Sequence, residues 1–234
     1  MLTVLATNAL DAPLRVLAPE FERTSGQQVS VSYKSTNQIL DLVKGGEIAD
    51  LLIAGRTAID ELAKAGKVEA GSRADLASSG IGVCVKAGAP RPDIGSVDAF
   101  KRALLAAKSV AHTATGQSGS YFAGLIDRLG IGDQVRAKAR VSAGGIIGEF
   151  VARGEAELGI QQVSEVLAVP GVDLVGPLPP EIQKITIFAA AIHVGANLPE
   201  AAQALISFLV TAPAQRVMRA KGLEVCRASP RQTS

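Results

Sequence analysis

Leu2-Thr-Val-Leu-Ala6, Val29-Ser-Val-Ser-Tyr33 and Ala49-Asp-Leu-Leu-Ile-Ala54 decide the fold. The first and third are short apolar runs of the kind that buried parallel strands carry, and the second alternates apolar with polar residues. Each run leads through a few polar or small residues into a helical pattern. Thr7-Asn8-Ala9 precedes a helix that begins near Asp11, with Pro13 in its first turn and Leu14, Leu17, Ala18 and Phe21 on one face. Pro19 is expected to kink or shorten this helix, and Ser25-Gly26 to end it. Lys34-Ser-Thr-Asn37 opens a helix carrying Ile39, Leu40 and Val43, and Gly55-Arg56-Thr57 opens one carrying Ile59, Leu62 and Ala63. Three strand–loop–helix units in succession predict an α/β protein with open, mostly parallel sheets and right-handed crossovers. In such sheets ligands sit beyond the carboxyl ends of the strands, where these loops lie.

The pattern then repeats. Ile81 to Val85 is strand-like, residues 87–95 form a Gly/Pro-rich break, and a helix is expected over about 98–107. The strand-like run from Ser109 to Thr113 enters Ala114-Thr-Gly-Gln-Ser-Gly-Ser-Tyr121, which launches a helix with Phe122, Leu125, Ile126 and Leu129 on its inner face. Ser118 or Ser120 can cap that helix, while Gly116 and Gly119 allow close backbone approach to a ligand. Val141-Ser-Ala-Gly-Gly145 leads into another helix, and a strand over Glu157 to Gln161 is followed by Gln162-Val-Ser164 and a short helix. Pro170-Gly171 and Gly176 to Pro180 are turns, Ile185 to Val194 is a long apolar run, and two helices close the chain. Residues 82–190 therefore form a second lobe inserted into a first lobe of residues 1–81 plus 191–234. The crossing strands lie near 81–88 and 185–195, with a ligand cleft between the lobes.

Composition removes several functional classes. A net charge of +2 without a basic block, and an aromatic content of 3% with no Trp, argue against a nucleic-acid partner. No apolar run approaches the length of a membrane span. His112 and His193 lack neighbouring ligands, so no metal site and no cofactor are expected. Cys84 and Cys226 read as two buried thiols, with a single disulfide as the alternative. No Ser-His-Asp order, phosphate-binding loop or dinucleotide fingerprint is present. The chain starts almost directly with a strand, so either a secretion signal has been removed or the protein is cytoplasmic.

Leu2 to Leu10, Phe21-Glu22, Val29 to Tyr33, Ala49-Asp-Leu-Leu-Ile53, Gly154-Glu-Ala-Glu-Leu-Gly159 and Pro199-Glu-Ala-Ala202 resemble, in order and spacing, the periplasmic molybdate-binding proteins. The resemblance implies a two-lobed, type 2 periplasmic-binding-protein fold, a monomer, a periplasmic location and a transporter permease as partner. It places the anion at Asn8 and Ala9, at Ser35 or Thr36, at the backbone of Ser118, Gly119, Ser120 and Tyr121, at Gly144-Gly145-Ile146-Ile147, and at Gln162. Ala9 stands where the family has a serine, and Gln162 where it has a tyrosine. Loss of two hydroxyl donors points away from molybdate or tungstate and towards an organic carboxylate, for which Lys34 or Arg56 could supply a cation.

The first expectation is thus a solute-binding protein for a small carboxylate anion. Some members of this molybdate-binder-like group resemble aconitate isomerase, which makes an allylic proton shift the enzymatic alternative. That chemistry requires a base, and His112, Glu149 and Tyr121 are the candidates by loop position.

Overall fold

A computed structural model describes residues 1–225; the question of Cys226 lies outside them. In chain order the elements are β1 (Leu2–Thr7), α1 (Asp11–Ser25), β2 (Val29–Lys34), α2 (Thr36–Lys44), β3 (Leu51–Gly55), α3 (Arg56–Lys64), β4 (Ala74–Ser79) and β5 (Ile81–Lys86). There follow α4 (Val97–Ala106), β6 (Val110–Thr113), α5 (Gln117–Arg128), α6 (Gly132–Arg136), β7 (Ala139–Ser142), α7 (Ile147–Ala152), β8 (Leu158–Gln162) and α8 (Val163–Leu167). The chain continues with β9 (Val172–Pro177), β10 (Thr186–Ile192), α9 (Pro199–Leu209), α10 (Ala212–Ala220) and β11 (Glu224–Val225).

The strands form two sheets, ordered β11-β4-β10-β3-β1-β2 and β7-β6-β8-β5-β9. Both are mixed rather than mostly parallel. The β1–β2, β1–β3, β6–β7 and β6–β8 pairs are parallel, as the strand–helix alternation predicts. β10 runs antiparallel to β3 and β4, and β5 runs antiparallel to β8 and β9. The reason is topological: a chain that leaves one sheet to build another, and returns, lays its crossing strands against the direction of the parallel set.

Both faces of the first sheet are covered, which explains its continuous apolar strands. Leu51, Ile53, Phe188 and Ala190 pack on one side with Leu14, Leu17 and Phe21 of α1, whereas Leu52, Ala54, Ala189 and Ala191 pack on the other with Ile39 and Ile59. The inserted sheet has its own core, built on Ile81, Val83, Phe100, Phe122 and Ile160. Helix α1 runs through Pro19 without interruption. Pro19 lies on the exposed face, where water can satisfy the carbonyl left without a partner, while the buried stripe continues on both sides of it. Strands β4, β7 and β9 and helix α6 escape the sequence pattern. Each strand is short or incompletely buried, and their strand character comes from pairing with β10, β6 and β5.

The two crossings are narrow. Gly80 alone separates β4 from β5, and Lys184-Ile185 leads into β10. Gln183 ties them together: its Oε1 accepts from Ile81 N (2.8 Å) and its Nε2 donates to Ile81 O (2.9 Å). Gln162 adds a second tie, its NH2 donating to the carbonyls of Ser79 (3.1 Å) and Gly80 (3.2 Å) while its oxygen accepts from Thr186 Oγ1 (3.0 Å).

Candidate functional site

Between the sheets lies a cavity of about 30 Å³ into which the starts of five helical segments point. Such a volume holds about two or three water-sized groups, hence one carboxylate or one small oxyanion. Thr7, Asn8 and Ala9 line it from the turn before α1. Ser35 and Thr36 come from the start of α2, and Gly116, Gln117 and Ser118 from the start of α5. Gly144 and Gly145 precede α7, and Gln162 and Glu165 belong to the first turn of α8; Thr113, Thr115, Gln161 and Phe188 complete the lining.

The start of α5 is the best equipped for a negative charge, because at α7 the Ile147 N–H donates to Gln161 Oε1 (2.6 Å), and at α8 the Val163 and Ser164 N–H groups donate to Gly80 O (2.9 Å) and Ser79 Oγ (3.4 Å). First-turn N–H groups have no partner within their own helix, and the helix dipole adds positive potential there. At α5 the cap position is Gly116, in a left-handed conformation (φ 94°) with no side chain to satisfy the Gln117 and Ser118 N–H groups. Ser35 Oγ accepts from Gln38 N (3.2 Å), and Thr36 Oγ1 accepts from Gly55 N (3.1 Å). With their lone pairs so engaged, both hydroxyls keep their protons available as donors.

Ser118 and Ser120 do not cap α5, because the helix begins one residue earlier, at Gln117. Ser118 is buried within the first turn and lines the cavity; Ser120 is exposed. Gly119 serves packing: a Cβ there would lie 1.9 Å from the Thr113 carbonyl oxygen. Gly119→Ala is therefore expected to cost about 3 kcal/mol or more of stability, measured by urea unfolding, because the obstacle is backbone. Gly55 similarly marks where the lobes touch, since a Cβ there would lie 2.3 Å from Gln117 Nε2.

Of the other sequence-derived candidates, Lys34 sits in a surface depression beside Gln38 and Asp41. Ile146 lies in a separate groove with Glu149, whose carboxylate is exposed beside Arg153. Arg56 and Ser120 face a neighbouring cavity. His112 is buried behind the site: its Nδ1 donates to Thr113 O (3.0 Å), its ring packs against Phe122 at a tilt of 59° with centroids 5.1 Å apart, and burial lowers its pKa. Tyr121 OH donates to Ile182 O (2.9 Å). None of the three proposed bases lines the cavity: His112 and Tyr121 are held by contacts that the sequence does not reveal, and Glu149 faces solvent beside Arg153, one turn along its own helix. Gln162 does line it, but its amide is engaged by the crossing strands.

Glu165 is the titratable group that does line the cavity. Burial pushes its pKa up from 4.5 to about 8, and the nearby Gln162 N–H and Gln161 amide offset that only in part. In the sequence it looks like an ordinary acidic residue of a helix start, a position where the dipole stabilises carboxylates. The available signal is its setting in Val163-Ser-Glu-Val-Leu167, where apolar neighbours predict burial. Among the described residues, no group of three or more His, Cys, Asp or Glu is placed to hold a metal ion. None of the helices described is long and apolar enough to cross a membrane.

Two α/β lobes joined by two crossings, with helix starts turned into the cavity between them, define a type 2 periplasmic-binding-protein fold. The chain belongs to the bacterial extracellular solute-binding protein family, whose model matches residues 2–224. It is 37% identical to an aconitate isomerase from Pseudomonas sp. over 98% of this chain and 89% of that protein. It is 27% identical to a molybdate-binding protein of Azotobacter vinelandii, over 90% of this chain and 84% of that one. Among solved structures, the periplasmic molybdate-binding protein of A. vinelandii superimposes with a TM-score of 0.81 at 18% identity, covering 97% of this chain and 100% of its own. The sulfate-binding protein of Mycobacterium tuberculosis H37Rv gives 0.74 at 21% identity, covering 95% and 85%.

Proposed function

We propose that this chain is an isomerase of an unsaturated carboxylate, and that Glu165 is the group that moves the proton. The observation that supports this most is a lone carboxyl, buried in a cavity of anion donors, with its pKa brought close to neutrality. A general base works best when its pKa lies near the working pH. The relative at 37% identity is named an aconitate isomerase, and its substrate is the natural probe.

In the proposed step the substrate carboxylate is held by the Gln117 and Ser118 N–H groups and by the Ser35, Thr36 and Ser118 hydroxyls. Ionised Glu165 takes a proton from the allylic carbon. The electron pair of that C–H bond enters the π system, the charge spreads onto the bound carboxylate, and the helix starts stabilise it. Glu165 then returns the proton to the far carbon of the allyl unit, so the double bond moves by one position without oxidation or reduction. Phe188 walls the site on its apolar side and limits access of water.

Purified protein incubated in deuterated water with cis- or trans-aconitate tests the proposal by NMR. Interconversion, with deuterium appearing at the allylic carbons, is expected. Saturable binding with neither isomerisation nor exchange would refute it and favour a second reading, that of a solute-binding protein. That reading is supported by the family and by a cavity matched to a small oxyanion; it carries with it the periplasm, a transporter permease, and closure of residues 82–190 onto residues 1–81 and 191–234. Under either reading Ser118→Ala should weaken anion binding about tenfold, one charge-assisted hydrogen bond, and change stability by less than about 0.5 kcal/mol. Isothermal titration with tricarballylate, a saturated tricarboxylate that has no allylic proton, checks the first part. Urea unfolding checks the second.

A further inference from the structure

Beside the anion cavity lies a larger one, of about 320 Å³, whose walls include Asn37, Arg56, Thr57, Gln117, Ser120 and Lys184. Gln117 lines both, so its side chain is the partition between them. The walls come from α2 and α3 of one lobe, from α5 of the other, and from the crossing segment that carries Lys184. An occupant would therefore touch both lobes and the crossing at once.

Its charge is one-sided. Two cations line it and no carboxylate does. Arg56 spends one of its five donors on Asp75, at 3.3 Å, and the rest of its guanidinium is free of ion pairs among the described residues. Lys184 has no carboxylate partner among the described residues, and its ammonium lies 5.4 Å above the Tyr121 ring, which steadies the charge without neutralising it. The inner cavity, by contrast, is too small for more than one carboxylate, so anything larger must extend past Gln117.

We propose that this outer cavity is a second anion subsite, in which Arg56 and Lys184 bind the distal carboxylates of a di- or tricarboxylate whose first carboxylate occupies the inner cavity. The proposal rests on the inner cavity's being a carboxylate site, and it names the substrate class as polycarboxylate. Arg56 supplies a planar fork for two carboxylate oxygens, and Lys184 a point charge on a mobile stem. Discrimination against monocarboxylates follows, because they would leave Lys184 and the remaining donors of Arg56 without a carboxylate.

The test is calorimetric titration of tricarballylate and of the monocarboxylate crotonate into wild type, Lys184→Gln, Arg56→Gln and Arg56→Lys. Each Gln variant should weaken tricarballylate about tenfold or more, the worth of one charge-assisted pair, and leave crotonate unchanged. Arg56→Lys should recover part of the loss, which also separates ligand binding from the Asp75 pair. Lys184 has no such pair to disturb, so Lys184→Gln keeps the question open to refutation even if Arg56→Gln folds poorly. Equal loss for both ligands, no loss for tricarballylate, or no binding of tricarballylate by wild type would overturn the subsite. These readouts are independent of turnover. Tight, cation-dependent tricarballylate binding without isomerisation of aconitate would sink the isomerase and keep the subsite, and isomerisation unaffected by either Gln variant would do the reverse.

Discussion

Glu165→Gln is expected to lower the rate of aconitate isomerisation by about 10²–10⁴-fold, the usual contribution of a positioned general base. The substitution keeps the size of the side chain and its capacity to donate a hydrogen bond, but removes its ability to take a proton at neutral pH. Affinity for tricarballylate should therefore stay within a few fold of wild type, because Glu165 is mostly protonated near pH 7 and already neutral. Loss confined to kcat is the signature of a group that acts in the transition state. A variant with unchanged kcat, or one whose deuterium exchange at the allylic carbons persists at the wild-type rate, would remove Glu165 from the reaction. In wild type, kcat/KM should rise with pH up to about 8 and then level, as the carboxyl of the free enzyme ionises.

The same group should dominate the pH dependence of stability between pH 4.5 and 8. Its pKa is raised on folding, from 4.5 to about 8, because burial disfavours the charged form. Below pH 4.5 it is neutral in both states and costs nothing. As pH rises, the unfolded chain ionises first while the folded chain must either stay protonated or bury a charge, so stability is lost progressively up to pH 8. The loss is on the order of 4 kcal/mol, at about 1.4 kcal/mol for each tenfold change in proton affinity. His112 and His193 act with the opposite sign below pH 6.5, since burial lowers their pKa and protonation opposes folding. The difference between wild type and Glu165→Gln isolates the glutamate: urea unfolding should find the variant progressively the more stable of the two as pH rises from 5 to 8. Parallel pH profiles for the two proteins would show that Glu165 is hydrated and ionised in the folded state, and would weaken its assignment as a tuned base. An anion bound beside Glu165 would favour its neutral form further, so affinity for tricarballylate should fall as pH passes 8.

Hydrophobic periodicity determined the α/β class, and the order of the segments that resemble the molybdate-binding proteins pointed to the two-lobed fold. Leu51 to Ala54 and Thr186 to Ile192 must be buried on both faces, and runs of that kind between helical patterns admit few topologies. Asn8, Ala9, Ser35, Thr36, Ser118, Gly145 and Gln162 fall on the cavity because they sit at strand ends, and a strand end is a position that sequence order specifies. The direction of the crossing strands, and the half-buried strands β4, β7 and β9, depend on which strand lies alongside, information that no local window of sequence holds. Which titratable side chain lines the cavity was likewise a tertiary decision. His112, Glu149, Tyr121 and Glu165 are all titratable residues near loops, and only packing separates them. Thr113 and Phe122 hold the first, solvent and Arg153 the second, and the Ile182 carbonyl the third. The fourth is buried in the lining of the cavity, where desolvation, a property of the surroundings and not of the residue, raises its pKa.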